Sequence, residues 1–174
     1  MLTFKLKSQN NHLADSPFEL IIEHLPPCCQ VKVRLDLDHY YNINAPMNLS
    51  SQAPWQAEAL FYSDDKGILD LSESNPYHNL SIMELFFKSQ PIVCKKAKLS
   101  QQLESIPLNP FYDLKISIFK GHSLLGETSV RRYYQLPSIS CLDLNFSRAK
   151  GRFFYEKTSS QQPAIIVLSG SDGR

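Results

Sequence analysis

Val31-Lys32-Val33-Arg34-Leu35-Asp36-Leu37-Asp38 alternates apolar and charged residues without a break. In a β-strand successive side chains point to opposite faces, so this period puts all four aliphatic residues on one face and the charges on the other. A strand with one buried and one wet face belongs to an antiparallel sheet. The pattern repeats on both sides of this stretch. Phe18, Leu20 and Ile22 alternate with Glu19, Ile21 and Glu23, and Leu25-Pro26-Pro27 ends the run, since proline cannot donate to a ladder. Trp55, Ala57, Ala59 and Phe61 alternate with Gln56, Glu58, Leu60 and Tyr62. Ser63-Asp64-Asp65-Lys66-Gly67 then signals a turn, and Ile68-Leu69-Asp70-Leu71 reads as the returning strand of a hairpin. Leu114, Ile116 and Ile118 alternate with Lys115, Ser117 and Phe119, Gly121-His122 turns the chain, and residues 124–134 form a further strand.

One segment departs from this period. Ser81-Ile82-Met83-Glu84-Leu85-Phe86-Phe87 carries a capping serine with a glutamate three residues on, so a short helix is expected at 81–87. Residues 40–54 and 88–110 read as irregular loops. Short strands with turns between them and almost no helix predict an all-β fold, a β-sandwich over residues 1–138. Beyond it, 141–145 and 151–155 flank a polar turn and predict a second hairpin.

The end of the chain has another character. Ala164-Ile165-Ile166-Val167-Leu168 is wholly apolar and runs into Ser169-Gly170-Ser171-Asp172-Gly173-Arg174. A strand apolar on both faces needs cover on both sides. The expectation is a buried parallel strand that delivers a backbone loop to an active site. The sequence then reads as a piece of something larger that stops where a catalytic domain begins. Residues 164–168, left without cover, are expected to drive self-association.

The 174 residues suffice for one ordinary domain and part of another. Acidic and basic residues nearly cancel, leaving a formal charge of +1. Lys95-Lys96 with Lys98 is a solvated loop rather than a nucleic-acid stripe, so no nucleic-acid partner is expected. No apolar run has membrane-spanning length, so no membrane insertion is expected. Met1–Lys7 alternates where a signal peptide would be continuously apolar, which predicts a cytoplasmic protein. Of the four cysteines, Cys28 and Cys29 are adjacent while Cys94 and Cys141 stand apart. That spacing matches neither a zinc motif nor a disulfide framework, and buried reduced thiols are expected. The five histidines are scattered, and Asp36, Asp38 and His39 read as a solvated face rather than a metal site. No metal and no cofactor is expected. Trp55, Tyr40, Tyr41, Phe61 and Tyr62 read as core and surface aromatics rather than a ligand platform.

Taken in order, these pieces resemble the N-terminal region of the acyl-CoA thioesterase and bile acid-CoA:amino acid N-acyltransferase family. The resemblance rests on Leu25-Pro26-Pro27 before the charged strand, and on the aromatic stretch from Trp55 to Phe61 followed by Asp64, Gly67, Asp70 and Leu71. It continues through Met83, Leu85 and Phe86, then Gly121, Gly126 and Arg131-Arg132, and ends on Gly151 and Pro163 through Gly173. Two places depart from the family pattern: Asn75-Pro76-Tyr77-His78-Asn79 replaces a glycine-rich stretch, and Arg174 stands where the terminal turn has glycine. The resemblance implies an immunoglobulin-like β-sandwich followed by the first strands of a truncated α/β-hydrolase domain over residues 139–174. It implies a parent enzyme that attacks an acyl-CoA thioester with a nucleophile held on a strand-to-helix elbow. No G-x-S-x-G elbow occurs here, and Ser169 and Ser171 have no base in reach, so no catalytic residue is assigned and the chain alone is expected to be inactive. The backbone of Gly170, Ser171 and Asp172 is the candidate half of an oxyanion hole. The acyl-CoA would be met through the missing hydrolase domain. A free-standing, non-catalytic β-sandwich interaction module is the alternative.

Overall fold

The computed structural model of the chain describes residues 1–8, 12–14, 16–38, 40, 54–73, 80–92, 110–145, 150–157 and 165–166. The chain divides into two compact units, Met1–Leu136 and Pro137–Arg174.

In the first unit, β3 (Gln30–Asp38) lies at the centre of a five-stranded sheet. It pairs antiparallel with β4 (Trp55–Tyr62) and with β7 (Phe111–Lys120). The outer strands are β6 (Gln90–Pro91) against β4 and β8 (Ser123–Tyr133) against β7. The register lines apolar residues into cross-strand rows. Trp55, Leu37 and Leu114 form one, Ala57, Leu35 and Ile116 the next, and Ala59, Val33 and Ile118 a third. The small alanines beside large aliphatics let neighbouring rows close on the core. The opposite face carries ion pairs, Lys32–Glu58 at 3.2 Å, Arg34–Asp36 at 2.9 Å and Lys115–Glu127 at 2.8 Å. Exposed pairs of this kind contribute about 0.2–1 kcal/mol each, so the apolar rows hold the sheet.

The other sheet of this unit has the order β1-β2-β5, with β1 (Thr3–Ser8), β2 (Phe18–Glu23) and β5 (Leu69–Asp70). Phe18, Leu20 and Ile22 of β2 and Leu69 of β5 join the buried rows of the larger sheet in one hydrophobic cluster. The helix α1 (Ile82–Phe87) adds Ile82, Leu85 and Phe86 to it. Its capping box forms as the sequence predicts: the Glu84 amide donates to Ser81 Oγ at 3.2 Å and the Ser81 amide to Glu84 Oε2 at 2.6 Å. The structure is thus mostly β-sheet with a single short helix among the described residues.

Three expectations are corrected. Leu69–Asp70 does not return along β4; it pairs with β2, Ile21 facing Asp70 and Ile22 facing Leu69. The turn itself carries the chain across. Asp64 Oδ1 accepts from the amides of Lys66 and Ile68, and its carbonyl accepts from those of Cys28 and Gly67. Gly67, at φ +73°, presses its backbone against Leu25, whose amide donates to the Gly67 carbonyl at 3.0 Å. Tied to the loop after β2, the chain continues along β2. Second, the stretch 88–110 holds a strand: Gln90–Pro91 lies on β4 at the sheet's edge, where a proline is tolerated. Third, the cysteines are free but not buried. Cys28 and Cys141 are exposed and Cys29 is half-buried, because Cys28–Cys29 belongs to a surface turn, Cys28 at φ +48°. Cys94 lies outside the described residues.

The second unit is built on an antiparallel hairpin of β9 (Ile139–Asn145) and β10 (Lys150–Glu156), the strands expected there. Of the strand expected over 164–168, Ile165 and Ile166 are described; both are exposed and lie outside any strand.

Candidate functional site

Gly170, Ser171 and Asp172, the loop singled out from the sequence, lie outside the described residues, as do Ser169, Tyr41, His39 and His78. The chemistry that the structure does place sits at the start of the first unit.

Arg132 on β8 is fully buried. Strand parity puts it there: it lies directly across from Tyr112 on β7, which also faces inward, while the neighbouring Arg131 faces outward onto Asp113. Its Nη2 donates to the carbonyls of Leu13 (2.7 Å), Ala14 (3.2 Å) and Ser16. The guanidinium carbon lies 4.8 Å from the centroid of the Phe18 ring, a cation–π arrangement. Nε and Nη1 have no hydrogen-bond acceptor among the described residues. Tyr112 and Tyr40 stand near it, and Tyr40 lies edge-on to Tyr112, Phe86 and Trp55 at 5.0, 5.4 and 5.5 Å. Burial raises the phenols of Tyr112 and Tyr40, and the nearby Arg132 charge opposes that rise. Both therefore stay protonated and neutral at physiological pH.

Chemically, this cluster is a clamp. A cation is stabilised by carbonyl dipoles and ring faces, and it ties residues 13–16 to β8, alongside the hydrogen bond from the Ala14 amide to the Tyr133 carbonyl at 2.7 Å. Sequence reasoning missed Arg132 as a chemical feature. The signal lay in its parity with Val130 and in the inward Tyr112 across the ladder.

The remaining candidates take structural roles. Ser63 is buried; its hydroxyl donates to the Pro26 carbonyl at 2.6 Å and accepts from the Cys29 amide at 3.0 Å. His24, at φ +67°, pairs through Nδ1 with Thr3 Oγ1 at 3.1 Å. Asp36 bonds Arg34 and Gln56 on the wet face of the sheet. Trp55 and Phe61 are buried core, and Tyr62 is exposed. Among the described residues no group of three His, Cys, Asp or Glu side chains could hold a metal ion, and no helix is long and apolar enough to cross a membrane.

None of the curated proteins matches this chain. A family model does. It describes the acyl-CoA thioester hydrolase/BAAT N-terminal region, and it matches residues 15–146, from just before β2 through the whole of β9. On that match, which covers most of the sequence, the chain belongs to the acyl-CoA thioester hydrolase/BAAT N-terminal region family.

Proposed function

We propose that this chain is the accessory N-terminal domain of an acyl-CoA thioesterase, which releases a fatty acid and CoA, or of an acyl-CoA:amino acid N-acyltransferase. The family match over residues 15–146 carries this reading. Residues 1–138 then form an immunoglobulin-like β-sandwich, a reading supported by two antiparallel sheets that share one hydrophobic cluster. Residues 139–174 begin an α/β-hydrolase domain, with the hairpin β9–β10 as its first strands.

In this reading the nucleophile, acid and histidine of the reaction belong to a hydrolase domain outside the sequence. The sandwich packs on that domain and shapes the entrance for the acyl-CoA. The chain supplies at most backbone N–H donors from Gly170, Ser171 and Asp172 to the oxyanion of the tetrahedral intermediate; one such donor contributes about 2.7–4 kcal/mol in a well-studied hydrolase. We place the protein in the cytoplasm, a reading that the free Cys28, Cys29 and Cys141 support. Sequencing the encoding DNA past codon 174 tests the assignment. An open frame encoding a Gly-x-Ser-x-Gly or Gly-x-Cys-x-Gly turn supports it; a domain of unrelated chemistry in that frame overturns it.

A further inference from the structure

Cys28 and Cys29 are consecutive free thiols in the turn from β2 to β3. Cys28 is exposed and Cys29 half-buried. Cys28 stands at φ +48°, a left-handed backbone that residues with a Cβ rarely adopt and that often marks a functional position. Pro26 and Pro27 precede the pair, and their rings fix φ on that side of the turn. On the other side the pair is tied to the turn after β4. The Cys28 amide donates to the Asp64 carbonyl at 2.9 Å, and the Ser63 amide to the Cys29 carbonyl at 3.1 Å. The peptide N–H between the two cysteines donates to Ser63 Oγ at 3.0 Å, and that hydroxyl donates to the Pro26 carbonyl at 2.6 Å. Ser63 is buried, so what its hydroxyl accepts depends on the orientation of this one peptide.

We propose that Cys28 and Cys29 form a reversible disulfide with each other, a redox-sensitive switch at the junction of these two turns. The ring it closes contains the peptide bond whose N–H meets Ser63. Consecutive Cα atoms lie about 3.8 Å apart, short of the roughly 4.4–6.8 Å that a disulfide usually spans. The ring is therefore strained, and a strained, exposed disulfide is readily reduced again. With Pro26 and Pro27 rigid, closure is absorbed by the Cys28–Cys29 peptide, whose N–H turns away from Ser63. The oxidant is a low-molecular-weight disulfide. The exposed Cys28 thiolate attacks one of its sulfurs, forming a mixed disulfide and expelling one thiolate. The Cys29 thiolate then attacks Cys28 Sγ in that adduct and expels the second. The two protein thiols thus give up two electrons and two protons, and the small disulfide becomes two thiols. In a reducing compartment the dithiol is the resting form, and the bond forms when the surroundings turn oxidising. This inference rests on the turn alone and is independent of the parent enzyme proposed above.

Treating the full chain with oxidised glutathione, then alkylating free thiols and weighing its proteolytic fragments, tests the proposal. The fragment that carries Cys28 and Cys29 is expected to have lost two hydrogens, with no glutathione and no alkyl group attached, and dithiothreitol restores both thiols. Cys29→Ser stops at a glutathione adduct on Cys28. Cys28→Ser, which leaves the half-buried thiol of the pair, takes up glutathione about tenfold more slowly. Hydrogen exchange at the Cys29 amide becomes about tenfold faster on oxidation and slows again on reduction, as the loss of one hydrogen bond requires. A stable glutathione adduct on the native pair, a disulfide from either residue to any other cysteine, or an unreacted fragment overturns the proposal. So does a Cys28–Cys29 disulfide that leaves exchange at the Cys29 amide unchanged, since the bond would then form without moving the turn.

Discussion

Arg132 shows what one buried charge does in this protein. Its guanidinium is withdrawn from water; Nη2 is met by the carbonyls of Leu13, Ala14 and Ser16 and the group lies over the ring of Phe18, while Nε and Nη1 find no acceptor among the described residues. Burying a charge is costly unless it is hydrogen-bonded, so these contacts are interdependent. Arg132→Ala removes the clamp on Leu13, Ala14 and Ser16, takes the guanidinium donor from the Ala14 and Ser16 carbonyls and opens a cavity beside Tyr112. We predict a loss of about 3–5 kcal/mol in denaturant unfolding; a loss below about 1 kcal/mol would show that the clamp is idle. The two left-handed glycines make a sharper contrast. At Gly121, φ is +57° and a Cβ meets nothing within 4 Å. Gly121→Ala therefore costs only the backbone penalty, about 1–2 kcal/mol. At Gly67, φ is +73° and the added Cβ falls 2.1 Å from the Leu25 carbonyl oxygen. Gly67→Ala adds a clash with backbone to the same penalty, and thermal melts should show it to be clearly the more damaging of the two. Equal losses would mean that the turn moves away from Leu25 at little cost.

At the scale of elements, the capping box of α1 sets a pH dependence. The Glu84 carboxylate is held below its ordinary value of 4.5, first by the Ser81 backbone N–H and then by the Ser81 hydroxyl. A carboxylate with a depressed folded pKa adds stability above the unfolded pKa and loses it as pH falls through the folded one. The cap should thus act fully at neutral pH and weaken below pH 4.5. Unfolding measured through an acid titration checks this: Glu84→Gln should flatten the acid limb, and an unchanged limb would contradict it. The strands and this cap were legible because period-two alternation and a Ser-x-x-Glu spacing are local signals, as at Val31–Asp38 and Ser81–Glu84. The pairing of β5 was not legible. A turn such as Asp64–Gly67 names a reversal but not its next partner, which here is chosen by Leu25, far away in sequence. The edge strand at Gln90–Pro91 was hidden for a related reason, since two residues show no period and proline argues against a ladder. Arg132 was hidden because its burial depends on carbonyls contributed from residues 13–16.

On the scale of the whole molecule, the buried cluster of the first unit runs from Phe18 to Ile118, so each residue of that core lies within Met1–Leu136. A fragment of residues 1–136 should therefore fold cooperatively by itself. A fragment that fails to fold would show that this unit depends on residues 137–174. As proposed above, this family member is an accessory domain whose chemistry lies in the rest of the parent enzyme. Ser63, Ser81, His24 and Asp36 are spent on a turn, a helix cap and surface pairs. The most direct test is release of free CoA from medium- and long-chain acyl-CoA by the purified 174-residue chain. No release above the uncatalysed rate is expected, with or without an amino acid acceptor; turnover that disappears on substituting a single residue of this chain would overturn the accessory role.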